Sequence, residues 1–150
     1  MDTCLSIQIR LSMRILFIDF DGVLHPGPDV SSRLTQFCWL PILARMLGSF
    51  ADVRVVIHST WRHQYELLEL REMLGSLGSR VLDVTGDVDR WESIKSWLAQ
   101  HGAKARSYRV LDDEVSEFPQ PVPAELIACQ PELGISDPLV QAQLRTWLEA

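Results

Sequence analysis

Two pairs of aspartates are the residues in this sequence best placed to do chemistry. Asp19 and Asp21 lie two positions apart in ILFIDFDGVL, and Asp112 and Asp113 are adjacent in RVLDDE. Each pair follows an apolar run of strand length. Carboxylates that are brought close together repel one another unless a cation is present. Because ligation by oxygen atoms alone suits Mg²⁺, the four carboxylates predict a magnesium site if the fold brings the two pairs together.

The elements that must position these carboxylates alternate along the chain. Apolar or β-branched runs predict strands at 14–19, 53–58, 80–84, 107–111 and 125–129. Apolar residues at helical spacing predict helices at 33–48 (with Pro41 as a candidate kink), 61–74, 91–101 and 138–149. Strands that alternate with helices favour a parallel sheet covered on both faces, which is an α/β, Rossmann-like three-layer sandwich.

In an open parallel sheet, ligands bind beyond the carboxyl ends of the strands. The residues that follow three of the predicted strands are polar: Asp19–Gly22, Ser59–Arg62 and Asp112–Glu114. We therefore expect these three segments to meet at one edge of the sheet.

Composition and charge limit the class of protein. The chain has 150 residues, 47% of them hydrophobic, which suits one domain, and no apolar stretch is long enough to span a bilayer. No secretory signal is visible and the three cysteines form no CxxC pair, so we expect a cytoplasmic protein without a disulfide framework or zinc site. A net charge of -6 argues against a general nucleic-acid coat protein. Residues 1–12 are interpreted as an N-terminal extension and residues 13–150 as the domain.

The order of the motifs resembles the haloacid dehalogenase (HAD) superfamily of phosphohydrolases. A strand leads into DxDG, a second apolar strand ends in HSTW, a basic residue opens a later helix, and an acidic pair follows RVL. The segments DFDGVLH, STWR, RWESIKSWL, VLDDE and GISDP are more narrowly similar to the HAD domains associated with Swiss army knife RNA repair proteins. The resemblance covers nearly the whole chain from Met13.

This resemblance implies a role for each aspartate. Asp19 would be the nucleophile that forms an aspartyl-phosphate, and Asp21 the general acid–base, whose backbone carbonyl also binds the metal. Asp113 would bind Mg²⁺ directly, with Asp112 in support. Ser59 would donate a hydrogen bond to the transferring phosphoryl group.

The third motif departs from the family pattern, in which this position is most often lysine. Arg90, at the start of a predicted helix, is the candidate, and Lys95 is the runner-up. Thr60 and Arg62 are predicted to contact substrate, because Arg62 lies close behind the second strand at a helix start.

Several residues near these motifs are expected to be structural, or have a role that the sequence leaves open. We expect His25, His58 and His63 to be structural or solvated, and Trp61 and Trp91 to pack. Glu114 and Glu117 are alternatives for a further metal ligand.

The spacing between motifs leaves no room for a large cap domain. Uncapped relatives tend to act on phosphates at the ends of large molecules, since small metabolites usually need a lid. The expected activity is a Mg²⁺-dependent phosphatase acting on an RNA or DNA end or on a nucleotide. The alternatives are a phosphatase of a phosphoprotein or small metabolite, and a non-catalytic binding module on the HAD scaffold.

Overall fold

The computed structural model describes residues 13–86, 89–101 and 105–150. Within these ranges, five parallel strands form one sheet in the order β3-β2-β1-β4-β5. The strands are Met13–Ile18 (β1), Val53–Ile57 (β2), Val81–Val84 (β3), Ala105–Asp112 (β4) and Leu126–Ala128 (β5). This confirms the predicted α/β fold with a central parallel sheet. The extension proposed for residues 1–12 lies outside the described residues.

Four α-helices cover the sheet in the described part of the chain: Leu40–Leu47 (α1), Leu67–Met73 (α2), Arg90–His101 (α3) and Pro138–Leu148 (α4). Short 3₁₀ turns lie between them at Thr60–His63, Gly75–Arg80, Val115–Glu117 and Gly134–Ser136. None of the helices in these ranges combines the length and apolar character needed to cross a bilayer.

The central strand β1 is buried on both faces, and its alternating side chains supply two separate cores. Leu16 and Ile18 pack with apolar residues of α1, α2 and α4. Ile15 and Phe17 point to the opposite face, where Phe17 meets Trp97 of α3 edge-on at 5.6 Å between ring centroids. One face therefore carries three helices and the other carries α3, which confirms the three-layer sandwich.

Two predicted helices are shorter than expected. Helix α1 begins only at Leu40, because Phe37 has a left-handed backbone (φ +58°) that a continuing helix cannot contain. Pro41 then lies in the first turn, where its missing N–H needs no partner, so it does not kink the helix. The helix predicted at 61–74 is divided into a 3₁₀ turn and α2, and α2 starts with a capping box between Glu66 and Glu69.

The insertions around β2 are small. Only α1 and loops separate β1 from β2, and only α2 and 3₁₀ turns separate β2 from β3. The described residues contain no large cap domain, as predicted, so none of them covers the carboxyl edge of the sheet in that way.

The register of the sheet decides which residues meet at that edge. Ile18, the last residue of β1, pairs with Ile57 of β2 and Leu111 of β4. The next backbone groups continue the ladder, since Asp19 N–H donates to the Leu111 carbonyl at 3.1 Å. Asp19 and His58 therefore directly follow β1 and β2, and Asp112 is the last residue of the neighbouring β4.

Candidate active site

Asp19 lies at the end of the central strand with 4% of its surface exposed. Its Oδ1 accepts a hydrogen bond from the Phe20 N–H at 2.7 Å, and its Oδ2 accepts one from Arg90 Nη1 at 2.8 Å. Gly22 follows with φ +76°, and a Cβ at that position would collide with the Asp113 carboxylate. Glycine is therefore required both by the turn and by the close approach of the two acidic segments.

Arg90, the first residue of α3, joins the two aspartate pairs. Its Nη1 donates to Asp19 Oδ2 and to Asp112 Oδ2, each at 2.8 Å. Lys95 is instead 54% exposed and lies 3.8 Å from Glu92 on the same helix. Of the two candidates for the third motif, the structure brings Arg90 to the carboxylates.

Asp112 is fully buried at the end of β4. Its Oδ2 also lies 2.6 Å from His58 Nε2, and its Oδ1 accepts a hydrogen bond from the Glu114 N–H at 2.8 Å. Burial alone would raise the pKa of Asp112, but the hydrogen bond and charge of His58 and the charge of Arg90 outweigh burial and hold that pKa below its ordinary value. Asp112 is thus an ionised carboxylate held in place on every side.

The two other carboxylates of the cluster behave differently. Burial, followed by the charges of Asp19, Asp112 and Glu114, raises the pKa of half-buried Asp113 to about 7. Burial and the charge of Asp112 also raise the pKa of Asp19, although His58 and Arg90 oppose the shift. The negative charge of the cluster therefore exceeds what its cationic neighbours compensate.

Three carboxylates are close enough to share one cation. One carboxylate oxygen from each of Asp19, Asp112 and Asp113 lies within 4.8 Å of the other two. Among the described residues, these three form the group of acidic side chains that could hold a metal ion. An all-carboxylate donor set with uncompensated charge fits a hard cation such as Mg²⁺. Glu114 and Glu117 are exposed and lie outside this group.

Asp21 is held apart from the cluster by two side-chain partners. His25 Nε2 lies 2.7 Å from its Oδ1, and Trp61 Nε1 donates to its Oδ2 at 3.3 Å. The Asp21 side chain is 32% exposed, so a substrate group can still reach it.

The segment after β2 forms a capped 3₁₀ turn. Ser59 is fully buried, and its Oγ accepts a hydrogen bond from the Trp61 N–H at 3.3 Å, while Thr60 is exposed. Arg62 Nη1 donates to the carbonyls of His58 and Ser59 at 2.7 and 2.8 Å. Arg62 therefore braces this loop, and its contact with substrate, like that of Thr60, stays a prediction.

Comparison with known protein families agrees with this geometry. Residues 15–140 match the family described as the HAD domain in Swiss Army Knife RNA repair proteins. The chain belongs to this family. The matched part of the HAD domain runs from β1 into α4 and includes all four aspartates. No curated protein and no solved structure matches the chain significantly.

Membership of a HAD family indicates a phosphohydrolase, and the acidic cluster of this HAD domain is compatible with bound Mg²⁺. Two side chains that contact the aspartates, those of His25 and His58, were expected from the sequence to be structural or solvated. His58 directly precedes Ser59 at a strand end, and His25 follows Asp21 by four residues across a glycine turn. Those positions are the signals that could have identified them.

Proposed function

We propose that this HAD domain is a Mg²⁺-dependent phosphatase that works through an aspartyl-phosphate on Asp19 and acts on a nucleic-acid terminal phosphate or a nucleotide. The observation that carries the proposal is the placement of Asp19. It is buried at the end of the central strand, one oxygen accepts from a backbone N–H and the other from Arg90, and the carboxylate belongs to the cluster with Asp112 and Asp113. A carboxylate held in this way is pre-oriented to attack.

The reaction proceeds in two displacements. In the first, an Asp19 oxygen bonds to phosphorus, the bond to the leaving oxygen breaks, and Asp21 gives its proton to that oxygen. In the second, Asp21 takes a proton from water, the water oxygen bonds to phosphorus, and the acyl-phosphate bond breaks to release phosphate and restore Asp19. Arg90 and Ser59 would neutralise and orient the phosphoryl oxygens.

Asp19, Asp113 and the Asp21 backbone carbonyl would hold the metal, with Asp112 in support. Bound Mg²⁺ reduces the repulsion between a carboxylate nucleophile and a phosphate dianion. We expect activity to vanish in EDTA and to return with Mg²⁺ or Mn²⁺. Full activity in EDTA would refute the metal-dependent mechanism.

The substrate proposal follows from the uncapped site and the family. A site without a large cap can accept the end of a long molecule, and the family is that of RNA repair proteins. A panel of 5′- and 3′-phosphorylated RNA and DNA ends, nucleotides, phosphopeptides and sugar phosphates tests this choice. The highest kcat/KM on a phosphopeptide or a sugar phosphate would favour the alternative substrates. A cytoplasmic location remains a prediction.

Two variants test the mechanism. Asp19→Asn removes the attacking oxygen, so we expect no turnover of nitrophenyl phosphate and no covalent adduct. Asp21→Asn removes only proton transfer, typically a factor of about 10²–10⁴. Because nitrophenolate leaves without protonation, Asp19 should still be phosphorylated in this variant, and the adduct should accumulate.

Intact-mass measurement after mixing with nitrophenyl phosphate distinguishes these outcomes. We expect an added phosphate in Asp21→Asn and none in Asp19→Asn. Glu72→Gln, an exposed position of α2, serves as the control and should turn over normally. A phosphate on Asp19→Asn, or one that maps to a histidine, would show that the nucleophile is wrongly assigned. Absence of turnover in every Mg²⁺-loaded form would favour a non-catalytic binding module.

A further inference from the structure

The imidazole of His25 is held in one tautomer. The Phe37 backbone N–H donates a hydrogen bond to His25 Nδ1 at 3.2 Å. A backbone amide can only donate, so Nδ1 must be the unprotonated acceptor and Nε2 carries the hydrogen. The 2.7 Å contact between His25 Nε2 and Asp21 Oδ1 is therefore a hydrogen bond from histidine to carboxylate.

The turn after Asp21 brings this ring into place. Gly22 N–H donates to the His25 carbonyl at 2.8 Å, which closes the loop and returns the chain toward Asp21. The residue is only 6% exposed. Its ring packs against Phe37 and Trp61 at centroid distances of 5.3 and 5.7 Å. The ring therefore has little freedom to rotate away.

Phe37 has a strained backbone at this point. Its φ of +58° is the one positive value at a non-glycine residue among the described positions. A left-handed conformation is unfavourable for a bulky residue and persists only where the surroundings enforce it. Such strain concentrates at functional sites, and here the strained residue supplies the donor to His25.

The two oxygens of Asp21 are held unequally. Oδ1 accepts the short bond from His25, whereas Oδ2 accepts only the 3.3 Å bond from Trp61 Nε1. An oxygen already occupied by a short donor is poorly placed to carry a second hydrogen. We propose that His25, oriented by Phe37, is a positioning residue that holds Asp21 Oδ1, so that Oδ2 exchanges the proton with the leaving group and with water. The inference rests on the proposed function and deepens it.

A positioning role predicts losses that depend on the leaving group. For a nucleotide, whose alkoxide must be protonated, His25→Ala should lower kcat/KM at least about tenfold. For nitrophenyl phosphate, kcat/KM should change less than about threefold, while the phospho-enzyme accumulates because its hydrolysis still needs Asp21. In an Asp21→Asn background, the same substitution should have no further effect on proton transfer.

Side-chain geometry supplies matched variants. The amide nitrogen of glutamine can reach the position of Nε2, so His25→Gln should restore most of the activity on nucleotides. The shorter His25→Asn should not. His101→Gln is the control, because His101 also lies beside a carboxylate, Asp83 at 4.0 Å, but at the far end of α3 from the site.

The outcomes separate this inference from the proposed function. An equal fall on both substrates, or no fall, in an active and folded protein would overturn the positioning role alone. If wild-type protein hydrolyses neither substrate, the proposed function fails and the inference fails with it. Should His25→Ala not fold, the comparison of the Gln and Asn variants decides. Imidazole ¹⁵N shifts of the wild-type protein give a readout independent of activity, since a hydrogen on Nδ1 of neutral His25 would refute the proposal.

Discussion

Asp113→Asn is expected to stabilise the metal-free protein while it removes stabilisation by metal. The structural cause is the pKa of about 7 that burial and the neighbouring charges of Asp19 and Asp112 give to Asp113, against 3.8 for an unperturbed aspartate. Between those two values the folded state binds more protons than the unfolded state, so the free energy of unfolding falls as pH rises. The contribution of Asp113 is fully present below pH 3.8 and is lost as pH rises through about 7. Asp112 does not change the stability in this pH range, because its pKa is lowered below the ordinary value.

The size of the effect can be bounded. A shift of roughly three pKa units corresponds to about 4 kcal/mol at 1.36 kcal/mol per unit. Asp113 is only half-buried, so solvent screening reduces this ceiling to about 1–2 kcal/mol. For a chain of 150 residues, 1 kcal/mol shifts Tm by about 2–4 °C.

The assay is thermal or urea unfolding in EDTA at pH 5 and at pH 8. Wild-type protein should lose about 1 kcal/mol more than Asp113→Asn between the two pH values, because pH 5 to 7 covers about two of the three pKa units. The variant should be the more stable protein at pH 8. Glu72→Gln should follow the wild type. Mg²⁺ at ten times its Kd should then stabilise the wild type by about 1.4 kcal/mol and the variant by much less.

Two results would refute this reasoning. If Asp113→Asn is less stable than wild type in EDTA at pH 8, neighbouring groups compensate the charge of Asp113 in the folded protein. If Mg²⁺ stabilises both proteins equally, Asp113 does not bind the metal.

Three further predictions concern a buried ion pair, the N-terminal segment and the third-motif residue. Arg14 is 3% exposed, bonds to Asp52, and donates to the last carbonyls of α4, so Arg14→Ala should cost about 3 kcal/mol of unfolding free energy. Arg106→Ala removes a half-exposed partner of the same aspartate and should cost less than about 1 kcal/mol; equal losses would contradict the argument. Protein that begins at Met13 should fold with nearly unchanged Tm and activity, and a large drop in Tm would show that residues 1–12 belong to the domain. Arg90→Lys should retain part of the kcat, and Arg90→Met should lower kcat at least about 100-fold. If Lys95→Met caused a comparable loss, Lys95 rather than Arg90 would be the third-motif residue.

The positions of the four aspartates could be predicted from the sequence because parallel strands align their carboxyl ends. Asp19 follows a run of apolar residues, and Asp112 follows another. Once those runs are recognised as neighbouring strands, their acidic ends must meet at one edge. The absence of a large cap also followed from sequence, since spacing limits how much chain can be inserted.

Helix boundaries were predicted less well. Apolar spacing alone extended α1 back to residue 33, although the left-handed backbone of Phe37 delays its start to Leu40. The last helix, by contrast, starts at Pro138 as predicted. Asp137 is the residue whose side chain accepts the Leu139 N–H at 2.9 Å. Such ends depend on backbone angles that nearby packing selects.

The sequence by itself determined the sheet, the acidic edge and the family of this protein, because strand runs and short motifs are local patterns. Only the tertiary structure decided which side chains hold those acids. Arg90 reaches Asp19 across 71 positions of the chain, and His58 reaches Asp112 across 54. His25 is close to Asp21 in sequence, yet its tautomer is set by an amide donor twelve residues further on. Contacts of this kind depend on the packing of side chains from separate elements, which local sequence patterns do not encode.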